Sequence, residues 1–147
     1  MTDTEAGGAQ TVGEALSAFR RAQGLREDEH LRKVWVMRAG DCILALPNFR
    51  WRRRAIDAHD VHHLLTGYSC TVPGELDIAA WEFGAGRYPH WGATLFCGPL
   101  VLAGLLCRRR ETLAAFRRGR RSRSLYGPDI LPRLLDMNVE EARALIQ

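Results

Sequence analysis

Fifteen consecutive residues, Ala93 to Cys107 (ATLFCGPLVLAGLLC), carry no charge at all. The run falls short of the roughly 18 or more apolar residues that a bilayer-spanning helix needs, and Pro99 interrupts it. It is therefore expected to be covered by other elements of the same chain, to make a dimer face or to rest against a membrane surface. A helix kinked at Pro99 and continuing into the arginine-rich RRRETLAAFRRGRRSR is the expected form. With 147 residues, 46% of them apolar and 26% charged, the chain can supply one core to cover such a helix. We expect one domain over residues 11–147, preceded by a disordered leader over 1–10.

Punctuation marks for helices recur along the rest of the chain. Thr11 and Glu14 have capping-box spacing, and Val12, Ala15, Leu16 and Phe19 follow at helical intervals up to Gly24. From Glu27 to about Leu46 the positions Leu31, Val34, Trp35, Arg38, Cys42 and Leu46 fit a second helix, although Gly40 weakens it and CILAL alone would pass for a buried strand. Pro47 and Asn48 precede a third helix that closes at Gly67. Pro73 suits the first turn of a fourth, with Leu76, Ala79, Ala80 and Phe83 as its apolar stripe. Asn138 and Glu141 repeat the capping-box spacing for a terminal helix. The expected fold is all-α, a single-domain bundle of about five to seven helices.

The net charge of +4 is uneven. Arg108 to Arg123 holds eight arginines against Glu111, which makes that stretch +7 and leaves −3 for everything else. Such a cluster suits anionic lipid head groups or a diphosphate, and equally a solvated helix end complementing its dipole. No recognition-helix or RNA-binding motif accompanies it, so nucleic acid is not an expected partner. Cys42, Cys70, Cys97 and Cys107 form no C-x-x-C pair, which argues against a disulfide framework or a zinc ribbon. The first ten residues lack the composition of a secretory or mitochondrial signal, and the expected location is the cytoplasm. Twenty arginines against one lysine fit a GC-rich bacterial coding sequence.

The densest chemistry lies in AHDVHHLLTGYSCTVPGEL, residues 58–76. On a helix, His59 and His63 share a face and can turn both imidazoles to one point. Asp60 is rotated by about 100° from His59, within reach of the edge of such a site. Glu75 follows a helix stop and a proline-led helix start, so the chain can fold back and set its carboxylate opposite the histidines. Three or four nitrogen and oxygen ligands would suit a divalent cation such as zinc. The alternative is a solvated helix end, with imidazoles at one dipole terminus and Glu75 at the next. His62 is expected to be a packing or surface residue, and His30 and His90 stand alone.

His59-Asp60-Val61-His62-His63, then eleven residues, then Glu75 resembles the H-D-x-x-H…E signature of the Coq4 family of ubiquinone-biosynthesis proteins. Leu64-Leu65-x-Gly67, Gly74 before Glu75, an aromatic at Trp81 or Phe83, CGPLVL in the apolar helix and the closing NVEEARALI also resemble the family, over about Thr11 to Ile146. Members carry arginines five and three residues before the first histidine; Arg54 fills the former position and Ile56 the latter. The family's Pro-Trp-Glu element has no counterpart in GPDILPRLLD. The resemblance implies a divalent metal, zinc by expectation, on His59, Asp60, His63 and Glu75, which would also be the catalytic residues, with Arg54 meeting a substrate carboxylate. It implies a prenylated aromatic acid or other isoprenoid lipid held between helices, replacement of the ring carboxylate by hydroxyl, and association with other quinone-biosynthesis proteins at the inner face of the plasma membrane. A homodimer is a further expectation for the glycine-bearing apolar helix. The alternatives are a non-catalytic lipid-binding scaffold and a tailoring enzyme of specialised metabolism using the same site.

Overall fold

A computed structural model describes residues 10–24, 34–39, 42–47, 49–86, 88, 91–126 and 130–147. Among them are seven helices, α1 (Val12–Ala22), α2 (Arg50–Thr66), α3 (Val72–Ala85), α4 (Trp91–Cys107), α5 (Arg109–Gly119), α6 (Ile130–Leu135) and α7 (Val139–Ile146). A two-stranded hairpin, β1 (Val34–Ala39) and β2 (Cys42–Pro47), lies between α1 and α2 in the chain. The fold is an all-α bundle with this hairpin appended; residues 1–9 of the leader, His30 and His90 fall outside the described residues, while Gln10, the last residue of the expected leader, accepts from the Val139 N–H at 3.2 Å.

The hairpin corrects the expected second helix. β1 and β2 pair antiparallel from Val34 opposite Pro47 to Ala39 opposite Cys42. The helical intervals include Arg38 and pass over Gly40. Val34-Trp35-Val36 is β-branched and aromatic, and Cys42 to Leu46 is an apolar run too short to hold a helix of its own. Two residues, Gly40 and Asp41, separate the strands, and that length and composition suit a hairpin link.

The remaining helices begin and end where their caps lie. Thr11 Oγ1 accepts from the Glu14 N–H at 3.3 Å, and Glu14 Oε2 accepts from the Thr11 N–H at 3.0 Å. Asn138 caps α7 through the Glu140 N–H at 2.8 Å, one residue earlier than the spacing predicts. Gly67 ends α2 at φ +79°, a conformation that costs a residue with a Cβ and lets the chain reverse towards α3.

The apolar helix does not run on into the arginines. It stops at Cys107, and Arg108, at φ −142° and ψ 48°, starts α5 in a new direction. The break lets α5 lie along α3, with Arg108 Nη2 donating to Asp77 Oδ2 at 3.3 Å. A Cβ on Gly119 would strike the Trp81 carbonyl, so only glycine permits that approach.

α3 packs on α4 and α5, while α1 closes against α2, α6 and α7. Between them Val12, Leu16, Val61, Leu65, Trp81, Leu134 and Ile146 form the core. Fully burying an aliphatic side chain such as Val61 contributes about 1.5–3 kcal/mol. Arg20 on α1 ties this layer to α2 by hydrogen bonds to Asp57 and Asp60, both at 2.8 Å.

α4 has two characters. Gly92, Ala93, Cys97 and Leu100 face a cavity. Trp91, Leu95, Leu102 and Leu106, spaced for the opposite face, are 74%, 68%, 59% and 79% exposed. No helix among the described residues is long and apolar enough to cross a membrane.

Candidate metal centre

His59 and His63 stand one turn apart on α2, and Glu75 is in the first turn of α3, brought back by the Gly67 stop and the Pro73 start. Their donor atoms converge. His59 Nε2 lies 3.1 Å from His63 Nε2 and 3.3 Å from Glu75 Oε2, and His63 Nε2 lies 3.3 Å from Glu75 Oε1.

The hydrogen bonds on the far sides of the rings decide what this triangle contains. His63 Nδ1 is 2.9 Å from the Tyr68 carbonyl oxygen, which can only accept, so that nitrogen carries a proton. His59 Nδ1 is 2.9 Å from Glu82 Oε1, a carboxylate, and carries one too. Both Nε2 atoms are left with lone pairs, directed at each other and at a third acceptor. Three acceptors at such separations require a positive charge among them. Tetrahedral coordination with metal–nitrogen bonds of about 2.0–2.1 Å would separate neighbouring ligands by about 3.3 Å, so the residues fit a cation such as zinc.

Without a metal, a proton takes that place. Burial pulls the His59 pKa down, but the Glu82 and Glu75 carboxylates outweigh it and hold the imidazole charged well above its ordinary range. Burial pushes the Glu75 carboxyl up, and hydrogen bonds from His59 and His63 reverse this, bringing it to about 2.

Glu82 is the residue that sequence reasoning missed. It is wholly buried on α3, and its Oε1 accepts from His59 Nδ1 at 2.9 Å, His62 Nδ1 at 2.7 Å and the Tyr126 hydroxyl at 2.7 Å. Its Oε2 accepts from the Tyr88 hydroxyl at 3.1 Å. His62 Nε2 in turn accepts from the Leu125 N–H at 3.0 Å, which fixes His62 as the Nδ1–H tautomer. One signal was available, because Glu82 follows Glu75 by seven residues and so shares its helical face. Nothing in the local sequence marks Tyr88 or Tyr126, which come from segments outside the helices.

Asp60 joins a different partner. Its Oδ2 accepts from Arg20 Nε at 2.8 Å, and the converging group is His59, His63 and Glu75 without it. The rotation from His59 along α2 carries Asp60 towards α1. Arg54 is exposed and is not among the residues lining the cavity; Arg52 is. His62 is neither exposed nor a candidate ligand, since both its nitrogens are engaged. Among the described cysteines, Cys70, Cys97 and Cys107 are free thiols.

The triangle opens into a cavity of about 240 Å³ between α2 and α4. Ile56, Ala93 and Leu100 give it apolar walls, Tyr88 and Tyr126 line it together with His59 and Glu75, and Pro47 and Phe49 line it from the end of β2 and the start of α2. Burial and the Glu82 carboxylate raise both phenols above their ordinary range, so they stay protonated. Searches of family models, curated proteins and solved structures found no match to the chain.

Proposed function

We propose that this chain is a Coq4-like, metal-dependent protein in which His59, His63 and Glu75 hold a divalent cation, zinc by expectation, and act on an aromatic acid carrying an isoprenoid tail. The observation that carries the metal is the triangle of lone-pair donors whose opposite ring nitrogens are already committed. A cation there would supply Lewis acidity to a carboxylate or phenolic oxygen. The chain's own residues would exclude water along the α2 and α4 walls, hold the ring beside Tyr88 and Tyr126, and offer the Arg52 guanidinium from the cavity lining. The cavity is small for a ligand pocket, the usual range being about 300–1,000 Å³, and suits one ring and the first part of a tail.

The proposed reaction replaces the ring carboxylate by hydroxyl. Its balance takes dioxygen and an external reductant and releases carbon dioxide and water. Two histidines and a carboxylate also hold ferrous iron with open positions. Elemental analysis of purified protein, with mass spectrometry of organic extracts, therefore tests the reading directly. A bound transition metal together with a prenylated aromatic compound supports it, and protein free of metal after reconstitution with zinc and with iron overturns it.

A second reading, a non-catalytic scaffold on an anionic membrane, is favoured by the apolar outer face of α4. That face ends at Leu106, three residues before the exposed Arg109 and Arg110, while Arg108 between them is turned to Asp77. Apolar side chains beside arginines match the interior and the head groups of such a surface.

A further inference from the structure

Glu82 is not among the residues lining the cavity, nor is it one of the converging donors, yet both of its carboxylate oxygens are hydrogen-bonded. Four hydrogen bonds from four donors reach a carboxylate that solvent does not reach at all. Burying an ionised carboxylate is costly unless it is fully hydrogen-bonded or matched by opposite charge. Hydrogen bonds are supplied here by His59, His62, Tyr88 and Tyr126, and none of these is a cation once the histidines are neutral.

We propose that Glu82 is a positioning residue of the metal centre: it fixes His59 as the Nδ1–H tautomer and supplies the second negative charge that makes the centre a divalent one. This rests on the metal-centre reading given above. With His59, His62 and His63 neutral, Glu75 and Glu82 bring two negative charges, which a divalent ion balances and a monovalent ion does not. Asp57 and Asp60 lie on the α1 side, where Arg20 balances one of their two charges and holds both carboxylates away from the donor triangle. The tautomer follows from the hydrogen bond alone. His59 Nδ1 donates to Glu82, so Nε2 is the nitrogen left to coordinate, and the same bond orients the ring.

Glu82 is itself held from outside the ligand helices. His62, pinned between Glu82 and the Leu125 N–H, and Tyr126, the next residue, anchor the segment after α5 onto the carboxylate. Removing the charge while keeping the shape therefore separates the two contributions.

The test is titration of metal-free protein with cobalt(II), followed by visible absorption, for wild type, Glu82→Gln, Glu75→Gln and His63→Ala. Glu82→Gln is expected to weaken cobalt binding about 10–100-fold, while the saturated protein keeps the wild-type band positions because no ligand has changed. Glu75→Gln is expected to shift the bands as well as weaken binding. Folded Glu82→Gln protein with wild-type affinity overturns the inference. Where Glu82→Gln does not fold, long-range proton–nitrogen correlation spectra of zinc-loaded wild-type protein decide: a downfield proton on His59 Nδ1 supports the inference, and a His59 protonated at Nε2 overturns it. Metal binding unaltered by Glu75→Gln and His63→Ala would remove the metal-centre reading, and this inference with it. Loss in those two variants but not in Glu82→Gln removes this inference alone.

Discussion

His59 and His63 face each other Nε2 to Nε2 at 3.1 Å, each with its Nδ1 proton already given to an oxygen. Two imidazoles would not choose that arrangement unaided, since their lone pairs repel. It persists because Tyr68 and Glu82 dictate the tautomers and because a positive charge belongs between the rings.

The two neighbouring histidines should therefore behave differently when removed. His63→Ala deletes a donor of the triangle and is expected to lower bound zinc by at least tenfold in protein that remains folded. His62→Ala deletes a buried side chain with two hydrogen bonds, at a cost of about 2–4 kcal/mol, yet its folded fraction should still bind zinc. Metal content and denaturant midpoints measured on both variants check this, and equal zinc loss in the two would remove the ligand assignment.

Stability of the metal-free protein should depend on pH in two windows. The His59 pKa is raised by folding, so its contribution is complete below the unfolded value of about 6.5 and is lost as pH rises through the folded value. Glu75 is depressed to about 2, so its contribution is present above its ordinary carboxyl range and is lost as pH falls through that range towards about 2. Saturating zinc replaces the proton and should abolish the alkaline loss. Thermal melts across pH, with and without zinc, measure it; an alkaline decline that zinc leaves untouched would contradict the shared site.

Gly74 sits immediately before Glu75, and a Cβ there would run into the Ser69 carbonyl oxygen. Gly74→Ala should force the start of α3 away from the turn after α2, costing about 1–3 kcal/mol and carrying the Glu75 carboxylate with it. Zinc affinity is expected to fall in this variant although every ligand is present. Wild-type affinity would show that the turn has room to give.

The outer face of α4 should set membrane affinity, if an anionic surface is its partner. Leu102→Glu and Leu106→Glu together are expected to reduce co-sedimentation with vesicles containing phosphatidylserine. Arg117→Gln, Arg120→Gln and Arg121→Gln should flatten the salt dependence. Arg118 is left out because its guanidinium caps α2 at the Thr66 carbonyl, 3.1 Å away, and lies over Tyr68. If vesicle binding is unchanged while the glutamate variants alter the sedimentation coefficient, the face joins two copies of the chain instead.

What the sequence disclosed was whatever local spacing encodes. Thr11, Gly67 and Pro73 announce their helix boundaries because capping and backbone freedom act within a few residues. His59, His63 and Glu75 were readable because one turn of helix and one tight reversal bring them together. The hairpin was obscured because Val34 to Leu46 satisfies helical intervals and strand propensities at once, and what separates the two is the pairing of β1 with β2. Asp60 shares the motif with the histidines, but its partner Arg20 is forty residues earlier, beyond any spacing rule. Glu82, Tyr88 and Tyr126 were hidden for the same reason, since a buried carboxylate declares itself only through its donors.

The Gly67 reversal has a consequence for the order in which the chain can assemble. His59 and Glu75 are only sixteen residues apart, so closing the ligand set costs little chain entropy. The contact between His62 and Leu125 spans sixty-three residues and comes later on the ribosome. A growing chain thus exposes three candidate ligands before Tyr126 has been made, and an ion captured then would sit in a half-built pocket. Arrival of the segment after α5 would seat His62 and Tyr126 against Glu82 and would convert a loose early capture into a retained one, although α6 and α7, which supply Leu134 and Ile146 to the core, are still to come.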